Sequence, residues 1–152
     1  TDMKYLREFN ESKELELELR DFCDIYLAYL IDDGFEVKVQ PGALEYNVDS
    51  KKKPNHGELI RKHFFTIIID NNKQKFNLNQ IKDRFIPFIK FLSDKYKIED
   101  QIFFGIGFDY FEIDLEDLIK DNLVEIFTRS KYERIDPYEE MIEWIEIKTK
   151  YK

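Results

Sequence analysis

His56 and His63 are the only two imidazoles in the chain, and imidazole is the side chain most often used for proton transfer near neutral pH and for holding a metal. A spacing of seven would align them on a helix. Pro54 and Gly57 instead place His56 in a loop and His63 at the edge of a strand, so the two read as separate residues rather than a site. The stretch His63-Phe64-Phe65-Thr66 is one residue longer than the His-x-Thr element that two-histidine phosphoesterases carry twice, and the sequence offers no second element.

A metal-dependent nuclease of the restriction-enzyme type needs an acidic residue together with Glu-x-Lys on a strand, so that carboxylates hold the cation while the lysine orients water or phosphate. Glu36-x-Lys38 fits, with Asp32 or Asp33 as the further acid, and so do Glu11-x-Lys13 and Glu146-x-Lys148. With 17 Glu and 18 Lys among 152 residues, roughly two such tripeptides arise by chance. This makes Asp33, Glu36 and Lys38 the residues of an alternative reading, a metal-dependent nuclease or phosphoesterase. Asp109, Glu112, Asp114, Glu116, Asp117 and Asp121 form an acidic run, but aromatic and aliphatic residues fill the positions where a calcium loop needs oxygen donors and glycine. That run reads as a solvated, cap-rich face.

Gly105 and Gly107 lack the third glycine or the lysine of a nucleotide loop, and two glycines in a strand more often mark a bulge or the close approach of another backbone. Cys23 falls on an apolar helical stripe and reads as a core thiol. As the single cysteine, it makes no intramolecular disulfide, which fits a reducing compartment. Trp144 falls off the main stripe of an expected last helix, where it either anchors a partner or closes the edge of the core. None of these patterns calls for a cofactor.

Charge is segregated along the chain. Residues 8–33 carry a net −7 and residues 99–125 a net −8, whereas residues 51–97 carry +8, within an overall −8 and a sequence pI of about 4.9. The basic residues Lys51, Lys52, Lys53, Arg61 and Lys62, with His56 among them, form a patch that can meet an acidic protein or a phosphate-bearing ligand. The acidic total argues against a dedicated nucleic-acid binder. The competing explanation is that oppositely charged segments neutralise one another across the fold.

The elements that would position these residues begin with a helix capped by Ser12, its stripe running from Leu15 through Leu19, Phe22, Cys23, Tyr26 and Leu27 to Leu30 and ending at Gly34. Residues 1–10 would precede it as an extended arm. Phe35, Val37 and Val39 alternate, as do Leu44, Tyr46 and Val48 across Pro41-Gly42, which predicts a hairpin. The run from Phe64 to Ile69 suits a central strand. Asn77 and Gln80 form a capping box for a second helix with Pro87 inside it, and because the apolar stripe continues across the proline, a kink near Arg84 to Pro87 is expected rather than a break into two helices. Strands are expected over Ile102 to Phe108 and Leu123 to Thr128, and a short helix over Leu115 to Lys120. A last helix would be capped by Asp136, with Pro137 at its first turn and Met141, Ile142 and Ile145 on its buried side. Together these predict one α+β domain over residues 1–152, a mainly antiparallel sheet with long helices packed on one face.

No apolar run approaches the ~18 residues that span a bilayer, no secretory leader precedes the first charged helix, and Met3 reads as the biological start. Met3, Lys4, Glu8 and Phe9, within MKYLREFNES, resemble the opening of internal head proteins from T-even-type tailed phages. Leu6-Arg7-Glu8 resembles the Leu-x-Glu cleavage signal of that group. The remaining composition is similar to that of small accessory proteins of large phages with AT-rich genomes. The resemblance implies a phage accessory protein that acts by binding a host or phage protein, in the host cytoplasm or the virion, and carries over no catalytic residue.

Overall fold

The computed structural model describes residues 2–42, 45–46, 59–60 and 64–150, with side chains over residues 13–42 and 65–149. Helix α1 (Asp2–Tyr26) is followed by α2 (Ala28–Asp32), β1 (Glu36–Pro41), β2 (Glu45–Tyr46), β3 (Leu59–Ile60) and β4 (Phe64–Asp70). Helix α3 (Leu78–Lys95), β5 (Lys97–Ile98), β6 (Gln101–Ile106), β7 (Asp109–Asp114) and α4 (Leu115–Lys120) come next. The chain closes with β8 (Ile126–Phe127), β9 (Arg134–Ile135) and β10 (Trp144–Lys150).

The main sheet runs β1-β4-β10-β6-β7, with β5 beside β10 and every pairing antiparallel. One register row crosses all five strands: Val37, Ile69, Ile145, Phe104 and Phe111. Because successive side chains point to opposite faces, that row lies with Val39, Phe65, Ile67 and Ile147 on one face. All of these but the half-buried Val37 are buried. The helices close this face, contributing Leu15, Leu19 and Phe22 from α1 and Ile81, Phe85, Phe88 and Ile89 from α3 to the same core. The fold is therefore α+β, a sheet with helices on one side and its other face open.

Helix α3 starts as its sequence dictates. The Asn77 side chain accepts the Gln80 N–H at 3.0 Å, and the Gln80 side chain accepts the Asn77 N–H at 2.9 Å. Two otherwise orphaned donors are satisfied reciprocally. Pro87 does not break the helix; it lies on the exposed side of one continuous element. Gly34 ends the α1–α2 arm at φ +99° and donates to the Ile31 carbonyl at 3.0 Å, a backbone shape that glycine adopts without strain.

Four expectations are overturned. The first helix begins at Asp2, so Ser12 is interior rather than a cap and residues 2–10 are helical rather than an extended arm. The hairpin across Pro41-Gly42 does not form, because β1 pairs with β4, and β2 pairs with β3. Instead of a strand over Leu123 to Thr128, only Ile126–Phe127 is extended, paired with β9. The last helix is a strand. Asp136 and Pro137 make a single turn, in which Asp136 accepts from Tyr138, Glu139 and Glu140. The chain then becomes extended, because Ile145 fills a slot between β4 and β6 and Thr149 one between β4 and β5, with Ile147 buried beside β4 between them, and only a strand can occupy these slots.

Cys23 is buried on α1, and burial first, then the neighbouring Asp24 carboxylate, push its thiol from the usual 9.0 up to about 12. Since only the thiolate reacts, Cys23 in the folded chain is expected to react with a disulfide reagent at pH 8 at least about a hundredfold more slowly than in urea. The folded thiol ionises above the unfolded one, so this group costs no stability below pH 9 and erodes it progressively as pH rises from there towards 12. Reaction rates and urea midpoints between pH 7 and pH 10 check both statements.

Candidate binding surface

The open face of the sheet is built from the alternate residues of the same strands. Glu36, Asp70, Trp144, Gly105 and Tyr110 form one register row across it, and Lys38, Ile68, Glu146, Phe103 and Glu112 form the next. The non-glycine residues of these rows are half-buried or exposed, in contrast to the sealed inner face. Gly105 explains how a tryptophan fits. A Cβ built on it would lie 1.9 Å from Trp144 Cε2, so the indole lies flat on the bare backbone of the neighbouring strand. Glycine thus marks a close approach, while Gly107 serves the turn after β6 at φ +58°.

Beside Trp144 is an open depression of about 530 Å³, whose walls include Ile68, Asp70, Glu143 and Glu146 together with Glu36 and Lys38. Its lining is net acidic, with Glu36, Asp70, Glu143 and Glu146 against Lys38 and Lys73. Lys38 approaches Glu36 at 3.7 Å, Asp70 accepts the Asn72 N–H at 3.1 Å, and Lys148 sits over the Phe103 ring at 5.5 Å. Glu143 and Glu146 make no ion pair with any described residue.

Both Glu36-x-Lys38 and Glu146-x-Lys148 project onto this face, from β1 and β10 with β4 between them. Asp33 does not join them: it follows the last turn of α2 and lies outside the depression. Among the described residues no group of three or more His, Cys, Asp or Glu side chains is arranged to hold a metal ion. Trp144 lies on this surface, as a strand residue rather than a helical one. Lys51, Lys52, Lys53, His56, Arg61, Lys62 and His63 lie outside the described residues.

The acidic run disperses into separate structural tasks. Glu112 pairs with Arg129 at 2.7 Å, Asp114 accepts from the Gln101 amide, and Asp121 accepts the Tyr138 hydroxyl at 2.9 Å and meets Lys82 at 3.5 Å. Asp109, the first residue of β7, is buried against the loop between β8 and β9. It accepts backbone N–H groups from Ser130 at 2.6 Å, Tyr110 at 2.8 Å and Lys131 at 3.1 Å, and the Thr128 hydroxyl as well. Burial, the largest single influence, opposes its ionisation. The four hydrogen bonds together outweigh burial and hold the carboxyl well below the usual carboxylate range.

A second hollow of about 600 Å³ lies along β7, between Glu112 and Asp114 on one side and Val124, Ile126 and Phe127 on the other. Phe127 and Tyr132 stack beside it with ring centres 4.5 Å apart. No described helix is long and apolar enough to cross a membrane. Comparison of the chain with protein-family models, with curated proteins and with solved structures finds no match in any of the three.

Two outcomes follow from this geometry. Gly105→Ala should displace the indole, shift the emission of the single tryptophan to longer wavelength and lower stability by about 1–3 kcal/mol. Asp109→Asn should lower the melting temperature at pH 7 by about 5 °C or more, since an amide cannot accept all four donors. Because the folded carboxyl's pKa is depressed, its stabilising contribution is present above the ordinary value of 3.8 and disappears as pH falls below it. The gap between wild type and variant should therefore narrow between pH 5 and pH 2, as thermal scans across that range would reveal.

Proposed function

We propose that this chain is a non-enzymatic binding protein, a phage accessory protein that holds a protein partner on the open sheet face around Trp144. What carries the reading is the combination of a flat indole, laid over Gly105, with the carboxylates Glu143 and Glu146, which are in no ion pair with a described residue although Lys38 and Lys73 line the same depression. Tryptophan contributes large, rigid contact area at binding hot spots. Carboxylates at the rim of such a contact steer and select a partner segment rich in lysine or arginine. The resemblance of MKYLREFNES to internal head proteins supports the phage setting and leaves open whether the partner is a host factor or a virion component.

The reading is tested by capture from host lysate and from infected-cell lysate on immobilised protein. Glu143→Lys with Glu146→Lys should weaken the captured complex about tenfold or more at low salt and flatten its salt dependence. Trp144→Ala should weaken it about thirtyfold. A partner held equally well by both variants, with unchanged melting temperatures, would remove this face from the interface.

A second reading, a divalent-cation-dependent nuclease, is favoured by one observation. Glu36 stands directly across from Asp70 in the β1–β4 register, with Lys38 two residues on along the same face. Magnesium is held by as few as one or two carboxylates together with a substrate phosphate. Release of nucleotides from DNA in magnesium or manganese, abolished by Lys38→Ala, would establish this reading; inert DNA in both metals would eliminate it.

A further inference from the structure

Strand β7 ends the sheet, and an end strand presents unpaired backbone donors and acceptors that can template another strand. The Tyr110 carbonyl accepts the Arg129 N–H at 2.8 Å, so the backbone of Tyr110 faces away from β6. Its partner Gly105 likewise turns its carbonyl away from β7, towards the Glu143 N–H at 2.8 Å. At the other end, the Leu115 N–H reaches the Asp100 carbonyl at 2.8 Å, which is the hydrogen-bonded position next to the Gln101–Asp114 pair. Alternation between bonded and non-bonded pairs in an antiparallel ladder then directs the N–H and C=O of Glu112 outwards. Among the described residues neither group has a backbone partner.

The covering segment satisfies this edge only at Tyr110. Beyond it, Ile126 and Phe127 pair with β9 rather than β7, which leaves the hollow described above. One wall of the hollow is the open backbone of Glu112. The other carries Val124 at 72 % exposure and Phe127 at 48 %, and Asp114 and Asp117 lie at its end. The Glu112 carboxylate is already matched by Arg129, so Asp114 and Asp117 set the charge offered to an incoming group.

We propose that this hollow is a strand-addition site for an extended peptide segment in which apolar and basic residues alternate. The segment's backbone would exchange hydrogen bonds with Glu112. One of its apolar side chains would lie against Val124 and Phe127, and a lysine or arginine would face Asp114 and Asp117. A second copy of β7 is a poorer occupant, because Glu112 and Asp114 of the two copies would confront like charges across the new ladder. The site is separate from the face around Trp144 and stands independently of the function proposed for that face.

The probe is a capped heptapeptide alternating lysine and valine, titrated to about 1 mM into isotope-labelled protein. Expected are amide shifts concentrated at Glu112, Asp114 and residues 124–127, with exchange of the Glu112 amide slowed at least about tenfold. Two N-methylated versions, one blocking the lysine amides and one the valine amides, separate backbone pairing from charge. One of the two should lose binding while the other keeps it. Asp117→Lys should weaken the unmodified peptide about tenfold with little change in melting temperature, and Trp144→Ala should leave its binding unchanged. The proposal is overturned by the absence of shifts at these positions, by shifts centred on Trp144, by binding that survives both methylations, or by self-association of the chain through this edge.

Discussion

The fold depends on one strand occupying the slot between two others. β4 and β6 run parallel to each other, since each is antiparallel to β10, and nothing else joins the β1-β4 pair to the β6-β7 pair within the sheet. The residues that fill the slot come from the last tenth of the chain. Ile145 and Ile147 are fully buried between Ile69 and Phe104 and beside Ile67. Each such side chain contributes about 1.5–3 kcal/mol of burial. The core is therefore completed by contacts of large sequence separation, the arrangement in which loop-closure entropy is spent before most of the stabilising contacts form.

This constraint also separates what was legible in the sequence from what was not. Signals that act within four residues are decisive where they coincide: Asn77 with Gln80, the α3 stripe from Leu78 to Leu92, and Gly34 at a positive φ. Phe64 to Ile69 reads correctly as central because β1 and β10 flank it, so both of its edges are hydrogen-bonded and its inner face is sealed in the core. The last segment misleads because Met141, Ile142 and Ile145 satisfy a helical period, while Ile145, Ile147 and Thr149 satisfy a strand period just as well. Asp136 and Pro137 favour a helix start, yet a local cap worth about 1 kcal/mol cannot outweigh the slot. Pairing of β1 is illegible for the same reason. Two alternating runs across a Pro-Gly turn look like neighbours, and the partner that wins lies across a longer connection.

The site was legible only in part. Trp144 as a surface anchor and a glycine as a point of close approach were both in the sequence, but their contact was not, because Trp144 and Gly105 are 39 positions apart and meet only when β10 enters the sheet. Asp109 was indistinguishable from its acidic neighbours, since its partners are mainly backbone N–H groups that every residue but proline owns. Of the two explanations for the charge segregation, neutralisation across the fold is seen in part, while the basic patch at Lys51, Lys52, Lys53, Arg61 and Lys62 lies outside the described residues. Acidic and basic segments do meet, as in Lys95 with Glu18 at 3.0 Å and Lys82 with Asp121 at 3.5 Å. Such exposed pairs contribute little to stability. Glu143, Glu146 and Asp117 keep their charge unpaired among the described residues.

The register connects the two candidate surfaces. The row that begins at Glu36 and Asp70 passes through Trp144 and Gly105 to Tyr110, whose carbonyl, capped by the Arg129 N–H, is the last satisfied position before the open edge of β7. β10 and β7 are two strands apart, about 10 Å at the usual spacing. A partner strand added beyond β7 lies three strands from β10 and need not touch Trp144, while one seated on the face alone need not touch Glu112 at all. The face discriminates by side chains, through an aromatic plate and unpaired carboxylates, whereas the edge discriminates by backbone and accepts any segment that can be extended and carries charge of the right sign. Asp109 keeps these surfaces in fixed relation. By gathering the amides of Ser130 and Lys131 at the start of β7, it holds the loop that bears Arg129 and Tyr132, and with it the far wall of the hollow, against the end of the strand it flanks.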